Sequence, residues 1–142
     1  MQPQTDLKIS RDLIRFSMIE DGDDYFAFEK DVHKKFFETI EKWTSRDDYE
    51  NVFIDATHLT PKARRQVLLN IRNNPYLIAI SLEVPLAIAL KRNKQRSGRS
   101  LVPESAIENM YNCYKIPTLN EGFDEIWHVD AEGVITKEIK NE

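Results

Sequence analysis

Short apolar, β-rich runs alternate with helical patterns along this chain, and that alternation restricts the fold more than any other feature. Leu7-Lys8-Ile9 reads as a short strand, and Ser10 stands where a helix N-cap belongs. Leu13, Ile14 and Met18 would give that helix an apolar face, and Gly22 would end it. Tyr25, Phe28, Val32, Phe36, Ile40 and Trp43 recur at steps of three and four, the spacing of an amphipathic helix. Asn51 to Ile54 reads as a buried strand ending at Asp55. Thr60-Pro61, a cap followed by proline at the first helical position, opens a helix running to about Arg72. Tyr76 to Leu82 is a further apolar strand, and Pro85 opens a helix that continues into a basic cluster and stops at Ser97-Gly98. Pro103 starts another helix through Ile107, Met110 and Tyr114. Glu125 to Val129 is a last strand, and Glu132-Gly133 can turn a terminal hairpin over residues 126–139. Strands joined through helices need crossover connections, which place parallel strands in one sheet. The expected class is therefore α/β, a parallel sheet with helices on both faces.

At 142 residues the chain suits one domain, 1–142. The single cysteine, Cys113, cannot form an internal bridge and fits a reducing, cytoplasmic setting. No apolar run is long enough to span a membrane, and Met1-Gln2-Pro3-Gln4 lacks the basic and apolar regions of a signal peptide. The net charge of −4 gives no overall attraction to nucleic acid, which disfavours a DNA-binding regulator. Charge is nevertheless clustered. Lys91, Arg92, Lys94, Arg96 and Arg99 lie close together, as do Glu20, Asp21, Asp23 and Asp24. A local basic cluster in an acidic chain suits one anionic ligand, while either cluster alone also reads as a solvated face.

In open parallel sheets, ligands bind beyond the carboxyl ends of the strands, and three polar groups fall there. Ser10-Arg11-Asp12 and Arg15 follow the first strand. Asp12 can accept a hydroxyl proton while Arg15 holds a phosphate, or the two form a surface ion pair at a helix start. Asp55-Ala56-Thr57-His58 follows the second strand. Asp55 can hold Mg²⁺ through water, or simply satisfy turn amides. Arg92 and Arg96 stand one helical turn apart and can neutralise a transferred phosphoryl group, or serve as cations at a helix C-terminus.

Taken in order, these motifs resemble a known family. Ser10-Arg11-Asp12-x-x-Arg15, Ile54-Asp55-Ala56-Thr57-His58-Leu59-Thr60-Pro61, Leu90-Lys91-Arg92-Asn93-x-x-Arg96 and Val102-Pro103-Glu104-Ser105 to Met110-Tyr111 look like the kinase domain of phage-type polynucleotide kinases. They are similar also to related small AAA-type and other P-loop ATPases of phages and bacteria. The resemblance spans about Ile9 to Val129. It implies a transferase using ATP and Mg²⁺, with a single-stranded nucleic-acid 5′ end or a small hydroxylated molecule as acceptor. By position, Asp12 resembles the general base, and Arg15, with Ser10 and Arg11 beside it, the substrate-phosphate contact. Arg92 and Arg96 resemble the lid arginines on ATP. Asp55 resembles the acidic residue associated with the metal, with Thr57 close by.

One departure is large. The family's Gly-x-x-x-x-Gly-Lys-Ser/Thr loop, whose amides and lysine cradle phosphates, is absent from the sequence, where the first glycine is Gly22. Truncation, degeneration and completion by another chain would each account for this, and the intact remaining motifs favour truncation. The chain as given is expected to be inactive, or to be a non-catalytic nucleotide- or nucleic-acid-binding module of the same fold. The resemblance also implies that a strand is missing between the one ending at Asp55 and the one over Tyr76 to Leu82. Direct pairing of those two, insertion of Val134 to Ile139, or a neighbouring molecule would then close the sheet.

Overall fold

The computed structural model describes residues 5–141. Strand β1 (Asp6–Ser10) leads directly into α1 (Arg11–Phe16), and a loop connects to α2 (Glu29–Thr44). Then follow β2 (Asn51–Asp55), α3 (Pro61–Asn70), β3 (Ile78–Glu83), α4 (Leu86–Lys94) and α5 (Glu104–Cys113). Strands β4 (Glu125–Asp130) and β5 (Ile135–Ile139) end the chain. The class is mixed α/β.

β1 and β2 form a parallel pair in which Ile9 stands beside Ile54 and Ser10 beside Asp55. Because side chains alternate across a strand, Leu7, Ile9, Val52 and Ile54 share one face. That face meets α2, whose Val32, Phe36 and Ile40 recur every fourth residue and are buried. Val67 of α3 completes this core. Burying side chains of this size stabilises by about 1.5–3 kcal/mol each, so α2 is held mainly by its inner stripe.

The second sheet has the order β3-β4-β5, with β3 parallel and β5 antiparallel to β4. Ile126 is fully buried on one face of β4, and the Ser81 hydroxyl on the same face meets the Tyr114 hydroxyl just after α5. The opposite face leaves Ile78, Ile80, Leu82, Ile135 and Ile139 exposed. Three contacts tie the two halves together besides the α3 crossover. The Lys115 amide donates to the Leu59 carbonyl at 2.8 Å, the Arg64 guanidinium bonds Glu121, and Arg99 bonds the segment following α1.

The structure corrects several expectations. The strands do not form one parallel sheet but two, and one ladder is antiparallel. Neither direct pairing of β2 with β3 nor insertion of the Val134–Ile139 run between them occurs. The short turn after β4 accounts for the second of these. Gly133 adopts φ +85°, and Asp130 Oδ1 accepts the Glu132 and Val134 amides, so β5 folds straight back onto the far edge of β4. Helix α1 stops at Phe16, well before Gly22, and Arg15 rather than Leu13 is buried on it. Helix α2 begins at Glu29, so Tyr25 and Phe28 lie outside it. Strand β2 is only half-buried, since Phe53 remains 48% exposed.

Candidate functional site

The carboxyl ends of β1 and β2 lie side by side, which places Ser10 and Asp55 next to each other. Ser10 leaves the strand with φ −113° and ψ 122°, and its Oγ accepts the Leu13 amide at 3.2 Å. This N-cap turns the chain sharply and sets Asp12 in the first helical turn, where a carboxylate also complements the helix dipole.

Asp12 is exposed, but one of its oxygens is fixed. Oδ1 accepts from Arg15 Nη1 at 2.7 Å and from the Tyr25 hydroxyl at 3.0 Å. Arg15 is 5% exposed and sits over the Tyr25 ring, its guanidinium carbon 4.7 Å from the ring centre. Its Nη2 donates to both Glu29 carboxylate oxygens, at 3.0 and 2.9 Å, and its Nε donates to Oε2 at 3.3 Å. Every nitrogen of the Arg15 guanidinium thus already donates to a protein oxygen. Arg11 is less committed, giving one bond from Nη2 to Glu29 Oε1 at 2.7 Å. Partial burial raises the Glu29 carboxyl, but hydrogen bonds from Arg11 and Arg15 outweigh it and hold the group below its ordinary 4.5. Burial, then the adjacent Asp12 charge, push the Tyr25 hydroxyl above its ordinary 10.0. Tyr25 therefore remains a proton donor toward Asp12.

Asp55 pairs with Lys8 Nζ at 3.4 Å, with both side chains exposed, an arrangement worth little in water. Thr57 is exposed. His58 takes a left-handed φ of 46°, and its Nε2 donates to the Ile54 carbonyl at 3.0 Å. Burial lowers the His58 pKa, so the imidazole is neutral, and its role is to close the loop before α3. Among the described residues, no group of three or more His, Cys, Asp or Glu is placed to hold a metal ion.

Arg92 and Arg96 occupy the last turn of α4 and the residue just beyond its C-cap, both exposed and without a side-chain bond or ion pair among the described residues. Between them, buried Asn93 grips the following loop, donating to the Val102 carbonyl at 2.7 Å and accepting the Val102 amide at 3.0 Å. This folds residues 97–102 back on α4. Arg99 then reaches the other half of the molecule. Its amide donates to Asp21 Oδ1 at 2.9 Å, and its Nη1 donates to the Phe16 carbonyl at 2.9 Å. The basic and acidic clusters therefore meet through Arg99 and Asp21. A shallow groove beside α4 is lined by Asn93, Lys94, Arg96, Leu101 and Pro103.

The sequence reading missed Tyr25, Glu29 and Asp21. Asp21 is met by the Arg99 backbone amide, a contact for which side-chain charge carries no signal. Mg²⁺ takes one or two carboxylates plus substrate phosphates; here Asp55 is paired with Lys8, and Asp12 has one oxygen held by Arg15 and Tyr25. The described residues supply cations and two exposed carboxylates but no phosphate cradle, so they do not by themselves fit a complete Mg²⁺–ATP site. No family model matches the chain, and no match is found among curated proteins or among solved structures. No helix among the described residues is long and apolar enough to cross a membrane.

Proposed function

We propose that this chain carries the acceptor side and the basic lid of a polynucleotide-kinase-like phosphotransferase, a P-loop kinase relative acting in the cytoplasm. The observation that carries the reading is Asp12. Its exposed carboxylate stands at the carboxyl end of β1, with one oxygen held by Arg15 and Tyr25. A base used for proton transfer must be fixed in direction yet open to its substrate, and this arrangement meets both needs. Asp12 would take the proton of an acceptor hydroxyl. Arg11, which keeps free donors, is better placed than the saturated Arg15 to meet an acceptor phosphate. Arg92 and Arg96 would meet the phosphates of a nucleoside triphosphate.

The sheet edges support the view that a strand, and the phosphate loop it would carry, belongs between β2 and β3. Exposed edges are usually guarded by charge. The outer strands follow this rule, β1 with Lys8 and β5 with Lys137 and Glu138. By contrast β2 (NVFID) and β3 (IAISLE) carry their one charge, Asp55 and Glu83, at the last residue, so their central residues have no such guard. Both read as interior strands.

The test is a version carrying a strand and a Gly-x-x-x-x-Gly-Lys-Ser loop ahead of β1, assayed for phosphorylation of a 5′-hydroxyl oligonucleotide. Asp12→Asn should slow it by about 10²–10⁴-fold while leaving ATP affinity unchanged. Equal rates would remove Asp12 from the chemistry. The saturation of Arg15 favours a second reading, a non-catalytic binding module for nucleotide or nucleic acid. In that case ATP or single-stranded oligonucleotide binds the restored version, and no phosphate is transferred.

A further inference from the structure

His128 lies in the middle of β4, on the face that carries Ile126, and reaches both neighbouring strands. Its Nδ1 is 2.6 Å from Glu83 Oε2 at the end of β3, and its Nε2 is 2.6 Å from Glu138 Oε2 on β5. A neutral imidazole has one N–H, whereas two ionised carboxylates can only accept. Both short contacts are therefore satisfied together only by the imidazolium, which donates to each side. Loss of that proton sets a ring lone pair against a carboxylate oxygen on one side.

We propose that Glu83, His128 and Glu138 form a proton-operated clasp, which fastens the edge strand β5 to the sheet while His128 is charged and loosens it when the proton leaves. β5 is the side that yields. All five of its residues are exposed, so it buries little apolar surface of its own, whereas β3 is joined to α4 and bonded through Ser81 to Tyr114. The other ties on β5 do not depend on that proton. They are its ladder with β4, the Asp130 turn, the Lys140 amide donating to the Asp124 carbonyl at 2.9 Å, and the Lys137 ammonium 4.2 Å from the centre of the Trp127 ring on the opposite face.

The charged groups acting on the ring are Glu138 of β5 and Glu83 of β3, and the residues directly abreast of His128 on those strands, Ser81 and Thr136, carry no charge. The bond to Glu138 raises the imidazole pKa most. Burial opposes it, and Glu83 adds to it, leaving the group above its ordinary 6.5. A pKa raised by folding contributes stability in full below 6.5 and loses it as pH rises through the folded value. The clasp is therefore shut on the acid side and open on the alkaline side. With the clasp open only those remaining ties hold β5, and each time they give way the far edge of β4 is bared, a row of backbone groups able to accept another strand.

The experiment uses the 142-residue chain itself. The His128 imidazole is titrated by NMR, and hydrogen-exchange protection factors, corrected for the intrinsic pH dependence of exchange, are followed for β5 and β3. The expected result is a His128 midpoint above 6.5 and a loss of β5 protection as His128 deprotonates, with β3 protection retained. Glu138→Gln, at an exposed position, should move the midpoint down and bring β5 protection on the acid side to its alkaline level. His128→Gln should make β5 protection independent of pH. A wild-type midpoint at or below the ordinary histidine value would overturn the proposal. So would β5 protection that stays constant through the titration, or joint loss of protection in β3 and β5.

Discussion

Arg64 is the residue whose replacement tests how the two halves are joined. It lies on α3, is 5% exposed, and makes three bonds. Nε and Nη2 donate to the two Glu121 oxygens at 2.7 and 3.2 Å, and Nη1 donates to the His58 carbonyl at 2.8 Å. The Glu121 side chain is itself only 14% exposed. Arg64→Met keeps much of the side-chain volume but strands a mostly buried carboxylate and one carbonyl, and breaking such a pair from one side costs about 3–5 kcal/mol. Glu121 retains a bond from the Thr118 amide at 2.8 Å, which argues for the lower part of that range. The double change Arg64→Met/Glu121→Leu should recover most of the loss, because apolar replacement of both partners removes the stranded charge. Urea unfolding followed by tryptophan fluorescence measures each variant. The pH dependence offers a second check. Burial raises the Glu121 carboxyl, but hydrogen bonds from Arg64 and the Thr118 amide outweigh it and hold it below 4.5. A lowered carboxyl pKa contributes stability above 4.5 that is lost as pH falls through the folded value, and Arg64→Met should reduce this component, leaving only what the Thr118 bonds supply against burial. A single-variant cost below about 1 kcal/mol, the level of a solvent-screened pair, would refute the argument that Arg64 fastens α3 to the second half.

Asn93→Ala leaves the Val102 amide and carbonyl without partners, at about 1–3 kcal/mol for each buried group, and hydrogen exchange should show Val102 losing protection first. Gly98→Ala meets two obstacles, a φ of +60° and a new Cβ that would sit 2.7 Å from Asp21 Oδ1. About 1–3 kcal/mol of strain is expected, with faster exchange at the Arg99 amide, while Asp21→Ala should speed the same amide without the strain. Arg92→Ala and Arg96→Ala should each leave stability within about 0.5 kcal/mol of wild type by urea unfolding. Loss of stability beyond that would mean these side chains hold the fold rather than wait for an anion.

Much of the secondary structure was legible because its signals are local. Ser10 and Thr60-Pro61 cap helices as their chemistry requires, their oxygens accepting the Leu13 and Ala63 amides. Val32, Phe36 and Ile40 are buried as their spacing demands. What the sequence did not reveal depends on partners far along the chain. Leu13 is 60% exposed and Arg15 buried, although hydropathy alone argues the reverse. The inversion follows from Glu29 and Tyr25, which draw the guanidinium inward and satisfy it there. Tyr25 likewise matches the period of α2 but is held by Asp12 and stacked edge-on against Phe26, so the helix begins later. The division into two sheets was hidden for a similar reason. Each strand run is apolar, and nothing in NVFID or IAISLE says which neighbour it will have.

Three arginines are committed to the fold, while two carry no side-chain partner among the described residues. Arg15 and Arg64 are buried, with each guanidinium committed to carboxylates and a local oxygen. Arg99 spends its amide and its guanidinium on the segment after α1. A guanidinium held this way cannot also receive a phosphate without releasing a protein partner, and each release carries the desolvation cost of that partner. Arg92 and Arg96 are under no such constraint. They project from one end of α4, yet Asn93 between them anchors the loop that Arg99 docks against α1. The same short segment therefore supplies two exposed cations and the fastening that ties it to the end of α1 and the loop after it. On the proposed reading the acceptor side is organised in advance, with Asp12 fixed by Arg15 and Tyr25. The nucleotide side consists of free charge, which would become ordered only against phosphates that a glycine-rich loop holds in place. Phosphoryl transfer depends on aligning donor and acceptor, and here only the acceptor has a fixed frame.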